Sequence, residues 1–260
     1  MEKDMFSYLT NDHITQLASA LDVVPGMRVL DLGSGSGSYL PAIFAELDGA
    51  GKVTAVDRSE RALSDIREQY PEAIERGSLE CKAADIAAHP LPFEDNFFDR
   101  ILCQNVIECV ADRMGLINEC YRLLKPGGKL LISHHDFDTA VYNSSEVELT
   151  RQLVHGFADT TQDWQDNSDG QIGRKLSGLM AASYFGGPEK RGTILIEEYE
   201  YSPRAYGYNY SKWATDIAMK TGELPIGDLR NWLRDLEIKA SERNYYFSIC
   251  LMAALGTKSR

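Results

Sequence analysis

The chain has few cysteines, little positive charge and no long apolar run. Its five cysteines among 260 residues, at 81, 103, 109, 120 and 250, are odd in number and nowhere spaced C-x-x-C. That argues against a disulfide framework and a zinc-ribbon site, and reads them as reduced thiols, with Cys103, Cys120 and Cys250 in apolar stretches. No apolar run approaches the ~18 residues that a membrane span needs, so no stable membrane association is expected. Residues 1–5 lack the basic start and apolar core of a secretory leader, which makes a cytoplasmic address the expectation. Lys and Arg number 27 against 39 Asp and Glu, a net charge of −12. Phosphate contacts need a basic surface, so a nucleic-acid partner is not expected. No repeat or low-complexity tract appears. The acidic stretch 159–170 fails the spacing of a calcium loop. Asp136 and Asp138 could hold a cation, but no metal site is expected.

What is present is an ordinary globular composition, 43% hydrophobic and 25% charged, in a length that fits one large domain or one domain with an insertion. Strand and helix patterns alternate through the first half, which argues for a parallel α/β sheet. Strands are expected at 28–32, 52–56, 79–84, 99–104 and 129–133, with helices at 11–21, 36–47 (opened by serine caps), 59–70 and 111–124. The second half is less regular. Helices are expected at 146–157, 173–184, 211–221 and 227–236, and strands at 193–201 and 245–255. The aromatics Tyr199, Tyr201, Tyr206, Tyr208, Tyr210 and Trp213 read either as a hydrophobic substrate lining or, at alternate positions, as the packed side of a half-buried strand.

The most informative stretch is Val29-Leu30-Asp31-Leu32-Gly33-Ser34-Gly35-Ser36-Gly37, with Asp57 closing the next strand. Glycine is needed where backbone turns tightly and approaches a ligand, and an acid at the second strand end accepts from both ribose hydroxyls. Two cofactor types compete for such a site. A nicotinamide or flavin site wants Gly-x-Gly-x-x-Gly for a pyrophosphate; here the glycines are Gly33, Gly35 and Gly37, and position 38 is Ser. Asp31, two residues before the first glycine, is a poor neighbour for pyrophosphate. It suits a cationic ligand such as S-adenosylmethionine, with its sulfonium and α-ammonium groups.

This stretch resembles motif I, (Asp/Glu)-x-Gly-x-Gly-x-Gly, of the class I S-adenosylmethionine-dependent methyltransferases. Further segments resemble the family in order: Val53 to Ser59 at the ribose strand, Ala84-Asp85-Ile86 after strand three, Leu91-Pro92-Phe93 through Phe98-Asp99 before strand four, and Leu124-Lys125-Pro126-Gly127-Gly128 before strand five. The closest pattern is that of the ubiquinone- and menaquinone-type and related small-molecule enzymes. The resemblance covers about 28–133. It implies an α/β, Rossmann-like, seven-stranded mostly parallel sheet with helices on both faces and a helical insertion after strand five. Residues 1–260 would form a single domain: a cofactor core 28–133, an insertion and substrate lid 134–192, and C-terminal strands and helices 193–260. It further implies that Asp31, Gly33, Gly35, Gly37, Asp57, Arg58, Asp85, Ile86 and Gln104 hold S-adenosylmethionine, with S-adenosylhomocysteine as product. Asp57 would take the ribose, Arg58 would pack on adenine, and Asp85 with Ile86 would read the adenine edge. Taken alone, Asp85 reads equally as a loop acid. The family's Glu-His pair after strand four is Glu108-Cys109 here, and the Asn-Pro-Pro-Tyr motif of amide- and adenine-methylating enzymes is replaced by Gln104-Asn105-Val106-Ile107.

Methyl transfer from a sulfonium is an in-line displacement, and a hydroxyl, ammonium or acidic-carbon acceptor needs a base. His134 and His135 leave strand five at its carboxyl end, where ligands of parallel sheets sit, and are the candidate bases. Both read alternatively as structural. His155 reads as structural, and Phe6, Tyr8 and His13 as parts of a covering N-terminal helix. Trp164 and the carboxylates of the acidic loop read either as a plain solvated loop or as a candidate site for a cationic substrate. The function expected is methylation of an O, N or C atom of a small molecule. A protein or RNA methyltransferase, a non-catalytic scaffold and a dehydrogenase are the rivals.

Overall fold

The computed structural model describes residues 5–161 and 167–260, with side chains from 13 onward. The lid candidates Phe6 and Tyr8, and Trp164 of the acidic loop, lie outside the described residues. Elements run α1 (Met5–Leu21), β1 (Arg28–Leu32), α2 (Leu40–Leu47), β2 (Lys52–Asp57), α3 (Glu60–Gln69), α4 (Pro71–Glu75), β3 (Leu79–Ala83), β4 (Phe98–Gln104), α5 (Arg113–Leu123), β5 (Leu124–Tyr142), α6 (Val147–Asp159), α7 (Ile172–Ala182), β6 (Lys190–Glu198), α8 (Tyr206–Thr221), α9 (Ile226–Ser241) and β7 (Phe247–Thr257). The seven strands form one mostly parallel sheet in the order β3-β2-β1-β4-β5-β7-β6.

The central strands are near-continuous apolar runs because both of their faces are covered. Val29, Leu30 and Leu32 of β1, Val53, Ala55 and Val56 of β2, and Ile101, Leu102 and Cys103 of β4 are buried. The β1–β2, β2–β3, β1–β4 and β4–β5 pairs are all parallel. β7 runs the other way: Gly127 and Gly128 at the start of β5 exchange backbone hydrogen bonds with Lys258, while Asn143 beyond its end donates to Tyr246.

Two buried charged groups fasten the strands to the helices. Arg122 of α5 donates to the carbonyls of Leu91 (3.2 Å) and Phe93 (3.0 Å) and to Asp95 Oδ1 at 2.5 Å. Buried Glu119 accepts from Arg122 and from the Leu91 amide at 2.7 Å. The Leu-Pro-Phe run is thereby fastened to α5 just before β4. At the amino ends of the strands, buried Arg100 donates to the carbonyls of Leu21 (2.8 Å) and Asp22 (3.0 Å), satisfying the last turn of α1.

Three local expectations need correction. β5 is 19 residues long, not five, and carries His134, His135, Asp136 and Asp138 inside it rather than beyond its end. The helix expected from 36 begins at Leu40 with Tyr39 at its N-cap and no side-chain cap bond. Ser36 and Ser38 instead face each other, hydroxyl to hydroxyl at 3.2 Å, and Pro41 occupies the first turn, where its missing N–H costs nothing. The aromatics Tyr206, Tyr208, Tyr210 and Trp213 lie on helix α8, so their alternation is not that of a strand.

Contacts cluster into two compact units. One holds Ile14–His134, Arg174–Gly192 and Met252–Arg260; the other holds His135–Gly173 and Thr193–Leu251 with the chain up to His13. In the latter, α6 packs on α8, and the buried Trp232 Nε1 donates to Thr150 Oγ1 at 2.8 Å. Its core is aromatic. Fully buried Tyr210 has Phe157 at 4.6 Å, Phe137 at 6.1 Å and Phe247 at 6.1 Å between ring centroids, and its hydroxyl donates to the Phe137 carbonyl at 3.1 Å. Buried Glu198 accepts from the amides of Tyr206 and Gly207 and so satisfies the start of α8. Among the described residues no helix is long and apolar enough to cross a membrane.

Candidate cofactor and active site

The glycine loop is hung on the neighbouring strand. The amides of Gly33 and Ser34 both donate to the Val56 carbonyl, at 2.7 and 2.9 Å. One residue on, Asp57 Oδ2 accepts from the Gly35 amide at 2.9 Å, and its Oδ1 from the Ser59 amide at 2.8 Å. Each carboxylate oxygen keeps a second lone-pair direction for a ligand hydroxyl. Gly33 has φ +76, and a Cβ there would strike the Val106 side chain. Gly35 has φ +50, and a Cβ there would meet nothing within 4 Å. The first glycine is therefore required by packing and conformation. The second is required by conformation, beside open space.

Register places the acids. Asp31 is level with Ala55 of β2 and Leu102 of β4, and Gln104 is level with Ser133 of β5. Side chains two residues apart on a strand share a face. Asp31, Asp57, Gln104 and Ser133 thus point to one side of the sheet at the carboxyl ends of four strands. Asp31 is 5% exposed, and its carboxylate makes no hydrogen bond among the described residues. Burial, and then the Asp57 carboxylate, push its pKa up to about 7. The neighbouring Cys103 thiol is pushed up to about 12, by burial first and then by Asp31, which leaves it an inert core group. Cys120 is likewise buried and Cys250 half-buried; all five cysteines are free thiols.

Arg58 and Asp85 are exposed, and Ile86 is half-buried. Asp85 Oδ1 accepts from the Ala87 amide at 3.0 Å, a local turn bond that leaves its second oxygen uncommitted to the loop.

The two candidate bases differ. His134, next to Ser133 on β5, points to the opposite side of the sheet from Asp31 and Gln104. Its Nε2 lies 3.5 Å from Glu108 Oε1, with both side chains shut off from solvent. His135 belongs to the other compact unit, where its ring stacks on Tyr206 at 4.6 Å and lies nearly parallel to Phe137 at 6.3 Å. His155 is exposed, with Nε2 3.4 Å from Asp138 Oδ1. Among the described residues no three His, Cys, Asp or Glu side chains converge as metal ligands.

Sequence reasoning passed over two residues. Glu108 does carry a sequence signal, as the acid of the family's Glu-His pair, but nothing local pairs it with His134. Tyr39 carried no motif signal: its buried hydroxyl shows only in three dimensions.

Residues 30–132 match the family model described as a methyltransferase domain. An uncharacterized 37.1 kDa protein in transposon Tn4556 of Streptomyces fradiae is 28% identical over 224 residues, 85% of this chain and 60% of that protein. Demethylmenaquinone methyltransferase of Bacillus cereus (strain AH187) is 35% identical over 111 residues, 43% of this chain and 46% of the enzyme. The chain thus spans about half the length of the curated relatives it matches. Among solved structures, the BH2331 protein of Bacillus halodurans C-125 superposes with a TM-score of 0.62 at 18% identity, covering 96% of this chain and 100% of that one.

The sheet order, the glycine loop hung on β2 and the acids at the strand ends define a Rossmann-like nucleoside-cofactor fold. Within it, residues 30–132 are a methyltransferase domain of the class I, S-adenosylmethionine-dependent kind.

Proposed function

We propose that this chain transfers a methyl group from S-adenosylmethionine to an O, N or C atom of a small molecule, releasing S-adenosylhomocysteine. One observation carries the reading: a carboxylate without a hydrogen-bond partner among the described residues, Asp31, buried at the end of β1 beside a glycine loop whose second glycine faces open space. A buried acid in that state calls for a cationic ligand group and repels a pyrophosphate. When bound, the cofactor supplies an electrophilic methyl group on a sulfonium. Asp31 would hold its ammonium group, the backbone of Gly33, Gly35 and Gly37 would admit it closely, and Asp57 would accept from the ribose hydroxyls. Arg58, Asp85 and Ile86 would border the adenine, with Gln104 at the end of β4. No metal is assigned a role.

The acceptor class rests on the net charge of −12, which disfavours RNA, and on the Bacillus relative, whose name makes demethylmenaquinone its acceptor. A small, apolar or aromatic acceptor is the reading carried over. His135 is the proposed imidazole for taking an acceptor proton; His134, turned to the opposite side of the sheet and shut off from solvent beside Glu108, is proposed as a structural group. Calorimetry with S-adenosylhomocysteine and NAD, followed by radiolabelled methyl transfer to separated small-molecule, protein and RNA fractions, tests the reading. Label in the small-molecule fraction supports it; binding of NAD alone, or label only in protein or RNA, refutes it.

A further inference from the structure

Tyr39 is the last residue of the glycine loop and the N-cap of α2, yet its side chain makes no cap bond. It is 6% exposed, and its hydroxyl is buried with no hydrogen-bond partner among the described residues. Buried hydroxyls are nearly always bonded, and a phenylalanine in this place would avoid the cost of stripping water from one that is not. Burial, and then the Asp31 carboxylate, raise its pKa, so the group stays an O–H donor and lies within electrostatic reach of that acid. Asp31 in turn makes no hydrogen bond among the described residues. The two ends of one short loop thus present an unused donor and, when ionised, an unused acceptor, which do not bond each other.

Building on the cofactor reading above, we propose that Tyr39 and Asp31 together form the receptor for the zwitterionic amino-acid end of the cofactor, the phenol donating to its carboxylate while Asp31 accepts from its ammonium group. An ammonium and a carboxylate on one carbon require that combination: an acceptor-only group and a donor close together. Tyr39 is then a determinant of affinity for the amino-acid tail, where a purely structural tyrosine would not distinguish ligands with and without it.

The test is calorimetry on wild type and Tyr39→Phe with two ligands: S-adenosylhomocysteine, and 5′-methylthioadenosine, which keeps the nucleoside and lacks the amino-acid end. The variant is expected to bind the first roughly 10-fold more weakly, to bind the second as wild type does, and to melt no lower than wild type. Unchanged affinity for S-adenosylhomocysteine, or an equal loss for both ligands, overturns the assignment. A wild-type protein that binds neither ligand overturns the cofactor reading, and this assignment with it.

Discussion

Asp31 makes cofactor binding a proton-linked event. Its pKa in the folded chain is about 7 against an ordinary carboxylate value of 3.8, through burial first and the Asp57 carboxylate second. The direction sets the sign. A raised carboxylate pKa contributes stability that is fully present below the unfolded value and is lost as pH rises through about 7, with a ceiling of roughly 4 kcal/mol. A ligand ammonium group needs the ionised form, so binding must expel the proton wherever the free protein still holds it. With a pKa near 7, apparent affinity for S-adenosylhomocysteine should be roughly eightfold weaker at about pH 6 than at about pH 7.5. Titration calorimetry in two buffers of different ionisation enthalpy measures this directly, and should find about one proton released per ligand at the lower pH. Asp31→Asn should abolish both effects, bind less tightly at the higher pH, and melt above wild type there because it removes a buried charge. Equal affinity at the two pH values with no proton released would refute the reasoning.

Four further outcomes follow from the packing. Gly33→Ala places a side chain at φ +76 against Val106 and should cost at least about 2 kcal/mol in urea unfolding. Gly35→Ala meets open space, should cost only about 1 kcal/mol, and should instead show its effect as lost cofactor affinity in calorimetry. Arg122→Met strands the buried Glu119 carboxylate and unties the Leu91 to Asp95 run; with the Arg122 side chain 27% exposed, a loss of about 2 kcal/mol is expected by denaturant titration. Trp232→Phe opens space in a fully buried site and breaks the bond to Thr150, and should lower stability by about 1–3 kcal/mol, seen as a lower midpoint at unchanged m-value.

The cofactor half of the fold was legible because its signals are local. Glycines forced by φ, an acid closing an apolar strand and a Pro-Gly-Gly stop each declare themselves within a few residues. The length of β5 was not legible: Ser133-His134-His135-Asp136 is polar in sequence, and only burial in a continuing sheet makes it strand. The start of α2 is not legible either, because serines that look like caps bond each other instead. The aromatics of α8 follow neither a clean helical nor a clean strand period: Tyr210 is buried, Tyr206 and Tyr208 are half-buried and Trp213 is exposed. Tyr39 and the Glu108–His134 pair depend on long-range placement, which no spacing announces.

The two amide bonds from Gly33 and Ser34 to the Val56 carbonyl make the loop a gauge of alignment between two strands. Asp57 is the next residue after that carbonyl, and a slip of one position would turn it to the far side of the sheet while detaching the loop. Both halves of the candidate nucleoside site would vanish in one step. Single-residue insertions within β2 should therefore be lethal to binding, whereas insertions at 48–51, ahead of the strand, leave the alignment intact. Protection from cleavage by added cofactor would then report, in a library of such insertions, where the alignment is set.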